Sequence, residues 1–364
     1  MLIAWRAGKL IDASGADREP DYQCPACHQR VVLHRGRVVP PYFAHQTLGD
    51  CAVATEGESL QHVLGKRQLA TFFTAWGVPT LEKILPTIDQ RADCWLDRGD
   101  RQPVALEFQC SPIGRDQVAT RTTGYQGMAV FPCWILGERY QRQHLNWGLV
   151  DRFAWRMPGW GLCLLFWDVS QQRLRLDHHL QQTAVGKIVA TTSWLTAVDD
   201  LRRPRQPAPQ PPVDLTTYRR KLTLDLLRGN TGLRLIQEAL YLLGKNLPGF
   251  PPVLSTTRGY LPIFGRGPIL WRVVVGAWIF SRQTQWTVSA LWQLACEGLA
   301  LVGGHCAGGI RFSGRAALRL ALNDLLADLV TAHYLHRTTT GWQVAVKPTW
   351  SQDGRKWLEN NERK

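Results

Sequence analysis

Residues 92–111, ADCWLDRGDRQPVALEFQCS, restrict what this chain can fold into more than any other stretch. Ala92, Cys94 and Leu96 alternate with Asp93, Trp95 and Asp97, and Val104, Leu106, Phe108 and Cys110 alternate with Ala105, Glu107, Gln109 and Ser111. A period of two is the strand repeat, in which side chains two apart point to one face. The turn formers between the runs, Arg98-Gly99-Asp100-Arg101-Gln102-Pro103, predict a hairpin with Asp93 and Glu107 on neighbouring strands. Glu107 and Gln109 then share a face. Two such carboxylates can hold a divalent metal; taken alone, the same pattern also describes an exposed hairpin with ordinary surface acids. Asp97 and Asp100 read as turn residues.

Upstream, Cys24-Pro25-Ala26-Cys27 forms a C-x2-C knuckle, followed by a strand-like run at 30–33, by His45 and by Cys51. Thiolate and imidazole ligands at this spacing suit tetrahedral Zn²⁺ in a small ribbon, with His28 and His34 as rival ligands. A redox pair would open a helix in a βαβ unit, and here the pair sits in a loop. Ahead of it, residues 2–13 read as a short hairpin turning at Ala7-Gly8. From Thr55 to Trp76 the period becomes helical, with Leu60, Val63, Leu64, Leu69, Phe72 and Phe73 on the apolar side. Glu58, His62 and Lys66 share one face of that helix, a spacing that also fits a solvated charged stripe. A strand at 80–88, the hairpin, a helix at 115–127 carrying Arg121 and Tyr125, and a buried strand at 129–136 complete the order helix, three strands, helix, strand.

The chain has 364 residues, more than one core usually holds, so two or three domains are expected. Lys and Arg number 43 against 29 Asp and Glu, a net charge of +14 that suits a polyanionic partner, or solubility alone. No basic, apolar and small-residue sequence marks a secretory signal. The apolar stretch 269–303 is interrupted by Arg272, Arg282, Gln283, Gln285, Gln293 and Glu297, poor material for a span of about 20 apolar residues. A cytoplasmic protein without a membrane span is expected. Its nine Cys, an odd number, favour reduced thiols or metal ligation over a disulfide framework.

Taken together, the knuckle, Phe43-Ala44-His45, Glu58-Ser59-x-x-His62-x-x-x-Lys66, Arg91-Ala92-Asp93, Leu106-Glu107-Phe108-Gln109-Cys110-Ser111, Arg121-x-x-x-Tyr125 and Trp134-Ile135-Leu136 resemble the competence protein CoiA family. The similarity spans about residues 24–136 and lies in the order and spacing of the motifs. It implies a PD-(D/E)XK nuclease-like, restriction-endonuclease-like αβββαβ core. There Asp93, Glu107 and Glu58 would bind Mg²⁺ or Mn²⁺, with Glu82 as a fallback for Glu58. Gln109 stands where such nucleases usually carry Lys, and Lys66 or Arg91 is then a source of the missing charge. His62, Lys66, Arg91, Arg121 and Tyr125 are the expected nucleic-acid contacts. The implied function is metal-dependent hydrolysis of DNA, single-stranded or branched, in competence-linked processing alongside recombination proteins. The alternative is an inactive DNA-binding scaffold of the same fold.

Beyond the core, 162–167 and 173–176 read as a hairpin, and His178-His179 as a surface pair. Residues 202–212, RRPRQPAPQPP, form a basic Pro-rich linker. The remainder reads largely helical, at 218–227, 231–244, 288–301 and 315–335. Its Arg residues, including Arg219, Arg220, Arg228, Arg311, Arg315 and Arg319, are interleaved with Trp271, Trp278, Trp286 and Trp292. Those Trp residues serve either as single-strand stacking platforms or as core. The expected architecture is mixed α/β (α+β). It comprises a zinc-ribbon-like module (1–54), the nuclease-like core (55–137), a β-rich extension (138–201), the linker (202–214) and a mostly helical C-terminal domain (215–364).

Overall fold

A computed structural model describes residues 1–18, 21–25, 27–36, 40–46, 59–207 and 213–351. Ala7 (φ 45°) and Gly8 (φ 80°) make the two-residue turn between β1 (Ile3–Arg6) and β2 (Lys9–Asp12). Positive φ at both turn positions matches the twist of the flanking strands, so the sequence-predicted hairpin forms. β3 (Tyr22–Gln23), β4 (Arg30–His34) and β5 (Tyr42–His45) extend it into a sheet of order β2-β1-β3-β4-β5. Tyr22, Cys24, Val31 and Phe43 bury its small core.

The Ser59 hydroxyl accepts the His62 N–H and caps α1 (Leu60–Phe72). β6 (Val78–Leu85), β7 (Gln90–Asp97), β8 (Val104–Gln109), α2 (Arg115–Gly127) and β9 (Phe131–Leu136) follow, which is the αβββαβ order expected. β6, β7 and β8 pair antiparallel, whereas β9 runs parallel to β8 because α2 carries the chain back across the sheet. One face packs on α2 through Trp95, Ala105, Tyr125 and Val130. α1 packs on β8 at Gly65, where a Cβ would lie 2.1 Å from the Phe108 ring.

Then come α3 (Glu138–Gln141), α4 (Trp147–Phe153), β10 (Trp155–Met157), β11 (Gly161–Asp168), β12 (Arg173–Gln182) and β13 (Ile188–Leu195). β11 pairs parallel with β9, so the predicted hairpin lengthens the sheet to the order β13-β12-β11-β9-β8-β7-β6, with β10 on β11. The expected His178-His179 surface pair is corrected: His178 is fully buried and bonds Ser193 Oγ at 3.0 Å, because the β12 face it occupies is covered.

The chain divides into two compact units, Met1–His144 with Cys163–His178 and Thr192–Gln206, and Leu145–Leu162 with His179–Thr191 and Pro207–Lys364. The second unit holds α5 (Leu215–Leu227), α6 (Thr231–Tyr241), α7 (Pro268–Arg282), β14 (Gln285–Thr287), α8 (Val288–Leu301), β15 (Gly308–Gly309), β16 (Phe312–Ser313), α9 (Gly314–Thr331), β17 (Leu335–Arg337) and β18 (Gly341–Val344). Sequence periodicity finds α5, α6, α8 and α9 but not α7. That helix is buried from Pro268 to Phe280 and so has no polar face to betray its period. Its Arg272, fully buried, pairs with Asp328 at 2.8 Å. Among the described residues no helix is long and apolar enough to cross a membrane.

Candidate active site

The ladder between β7 and β8 runs Leu96↔Val104, Trp95↔Ala105, Cys94↔Leu106 and stops one residue short of both Asp93 and Glu107. Past its end, the Phe108 N–H donates to Asp93 Oδ2 at 2.9 Å instead of to a strand carbonyl. The same oxygen lies 3.2 Å from His62 Nε2 on α1. The His62 ring stacks on Phe108 with planes 9° apart. Glu107 is gripped from the other helix. Arg121 Nη2 donates to its Oε1 at 2.6 Å, and the Tyr125 hydroxyl donates to that oxygen too. Arg121 also donates to the Arg91 carbonyl at 3.0 Å, which ties α2 to β7. Each helix therefore fixes one acid through one oxygen. The second oxygens, Asp93 Oδ1 and Glu107 Oε2, carry no hydrogen bond among the described residues.

Glu107 is buried and the Asp93 side chain is 14% exposed, yet the two respond oppositely. Burial pushes Asp93 upward, but the charge and hydrogen bond of His62, followed by the charges of Lys66 and Arg121, outweigh it and hold the carboxyl well below its usual range. For Glu107 burial prevails. Arg121 pulls its pKa down, the Asp93 charge pushes it up, and the bonds from Tyr125 and Arg121 only partly compensate, leaving it above the usual Glu value. The two acids split because His62 and Lys66 favour the Asp93 charge, whereas Glu107 meets its own burial and, after it, the charge of Asp93. Burial and then the Glu107 charge raise Tyr125, which keeps its phenol a donor.

The model of the competence protein CoiA nuclease-like domain matches residues 58–200, and that of the CoiA N-terminal domain residues 10–54, together about half of the chain. This chain belongs to the competence protein CoiA family. Competence protein CoiA of Bacillus subtilis (strain 168) is 34% identical over 135 residues, 36% of this chain and 36% of that protein. The Druantia protein DruB of Escherichia coli (strain UMEA 4076-1) is 34% identical over 107 residues, 26% of this chain and 20% of that protein. The chain thus aligns with only about a third or less of these relatives' lengths. No solved structure matches.

In this CoiA-family chain the other expected site residues sort by burial. Lys66 is fully buried, with Nζ 2.5 Å from Glu82 Oε1. Glu82 Oε2 accepts the N–H groups of Leu2 at 2.9 Å and Ile3 at 3.2 Å. The acid expected as a fallback for Glu58 thus anchors the N-terminal sheet, and it holds Lys66 inside, away from any nucleic acid. Tyr125 is likewise enclosed, and Arg121, its side chain 30% exposed, is the member of that pair which reaches solvent. The Gln109 amide donates to Ser111 O at 2.8 Å and to Ser111 Oγ at 3.2 Å, so its donors serve its own chain. Glu58 and Cys51 lie outside the described residues.

In the N-terminal sheet Cys24, Cys27 and His45 bring their ligating atoms within 4.8 Å of one another and could hold a metal such as zinc. Cys27 Sγ is 3.3 Å from His45 Nε2. The rivals His28 and His34 stand outside this cluster, His34 stacking on Tyr42. Sequence reasoning missed the Phe108 N–H, since a backbone donor leaves no residue-type signal. It also passed over Gly65; a glycine inside a helix pattern is the mark of a close approach.

Proposed function

We propose that this chain is a Mg²⁺- or Mn²⁺-dependent nuclease that hydrolyses phosphodiester bonds of single-stranded or branched DNA in competence-linked processing, before or during recombination. One observation carries the reading. At the point where β7 and β8 part, each of two adjacent acids has one oxygen fixed by protein donors and one with no hydrogen bond among the described residues, within a CoiA nuclease-like domain. Such oxygens are the hard donors these cations take, and a dication would offset both the burial of the Glu107 charge and its repulsion by Asp93. A divalent ion, when bound, positions a water and stabilises the charge developing on the phosphate.

The protein's own groups do the rest. His62 and the Phe108 N–H hold Asp93 in one rotamer and, with Lys66, keep it ionised. Tyr125 orients Glu107, and Arg121 offers the forked donors that grip a phosphate. Lys66, enclosed on Glu82, does not reach a water or a phosphate, which leaves Arg91 as the source of the positive charge absent at Gln109. We also propose that Cys24, Cys27 and His45, with Cys51 as the fourth ligand, hold a structural Zn²⁺.

A second reading, a DNA-binding scaffold without turnover, is favoured by the Gln109 amide being engaged on Ser111. Labelled single-stranded, duplex and branched DNA incubated with Mg²⁺ or Mn²⁺ separate the two. Chelator-sensitive cleavage that disappears in Glu107→Gln, with DNA binding retained, is the expected result. Binding without cleavage of any substrate under either metal overturns the nuclease and leaves the scaffold.

A further inference from the structure

The tryptophans that the sequence interleaves with arginine in the helical unit have different surroundings. Trp271 (0% exposed), Trp278 (8%) and Trp286 (5%) are core. Trp292, on α8, is only half-buried and opens into a groove of about 590 Å³ between α8 and α9, lined by Trp292, Arg315, Ala316, Arg319, Leu320 and Asn323. Leu320 is 63% exposed there, and the Arg319 guanidinium lies 5.5 Å over the Trp292 ring. Arg315, Arg319 and Asn323 recur every four residues, so they form one stripe along α9.

The charges of this unit are distributed unevenly. Arg258 pairs with Asp324 at 3.6 Å and Asp328 at 3.0 Å, and Arg282 with Glu297 at 3.4 Å. These pairs occupy the nearby carboxylates of α8 and α9. Arg315 and Arg319 are exposed and have no ion pair among the described residues. An apolar partner closing over this groove would desolvate two cations with nothing to compensate them. A polyanion would not. An indole with guanidinium groups beside it is the combination that stacks an unpaired base and grips its flanking phosphates, and a duplex keeps its base faces inside.

We infer that the α8–α9 groove is a second nucleic-acid contact, which takes an unstacked base of a single strand on Trp292 and its phosphates on Arg315 and Arg319. This rests on the nucleic-acid reading above but uses none of the residues around Asp93 and Glu107.

Anisotropy of a labelled oligothymidylate, measured with the full chain across a salt series, tests it. Arg315→Ala with Arg319→Ala should weaken binding and make the log–log salt dependence shallower by about 1.4, at roughly 0.7 for each single-strand phosphate that an arginine no longer neutralises. Trp292→Leu should weaken it about tenfold, and an iodouracil-substituted strand should photocrosslink within α8. The arginine pair is exposed, so its replacement leaves the fold intact even where Trp292→Leu does not. Unchanged affinity and salt dependence in the double variant overturn the proposal, as does equal loss of duplex binding. Displacement of the strand by poly-glutamate at matched charge reassigns the groove to acidic peptides and overturns it too. Cleavage is read separately: an inactive chain whose binding still depends on Arg315 and Arg319 supports the groove while removing the nuclease.

Discussion

At Glu107, burial and the Asp93 charge lift the carboxyl while Arg121 and Tyr125 pull it down, and Asp93 is held in the opposite direction by His62. The signs give a stability window for the metal-free chain. Asp93, depressed in the fold, contributes stability present above the ordinary Asp value of about 3.9 and lost as pH falls through its lower folded value. Glu107, raised in the fold, contributes stability present below the ordinary Glu value of about 4.3 and lost as pH rises through its higher folded value. Urea denaturation across pH, in chelator, should therefore show the alkaline-side decline removed by Glu107→Gln and the acid-side decline softened by Asp93→Asn. Variant profiles parallel to the parent's would contradict the assignment. Lys66→Met strands Glu82 in the interior and should cost about 3–5 kcal/mol by the same assay. The acids and the Arg121-Tyr125 pair were legible because strand alternation and helical i, i+4 spacing place them. The Lys66–Glu82 pair was not, since a helix–strand ion pair enclosed in the core leaves the same letters as a solvated stripe.

Among the elements, α1 and β8 depend on each other through Gly65. A methyl there meets the Phe108 ring at 2.1 Å, so Gly65→Ala must push α1 away from the sheet. His62 moves with it. The expected cost is about 1–3 kcal/mol from overpacking, with Asp93 loosened from His62. Phe108→Val added to Gly65→Ala should recover stability, and a double-mutant cycle with strictly additive effects would argue against this packing. The αβββαβ order was readable because each core element is either amphipathic or bounded by turn formers. The α7 helix escaped because burial on all sides erases the 3.6-residue period. The strands β14, β17 and β18 are three or four residues long, too short for alternation to register.

On the scale of the molecule, bonds between described residues that join the N-terminal sheet to the nuclease-like core include Glu82 on the Leu2 and Ile3 N–H groups and Asp12 with Arg67 at 2.9 Å. Its own core of Tyr22, Val31 and Phe43 is small, and a bound metal is how domains of that size usually hold together. Protein purified without chelator should contain one zinc per chain, absent in Cys24→Ser. Zinc removal should speed amide exchange in β1–β5 while β6–β9 stay protected; equal protection with and without metal would deny zinc a structural role. The central claim, that Asp93 and Glu107 form a divalent-metal site, is tested most directly by calorimetric titration of Mn²⁺ into the zinc-loaded full chain. The account predicts a binding event that Asp93→Asn and Glu107→Gln each abolish, and an unchanged Mn²⁺ isotherm in either variant would contradict it.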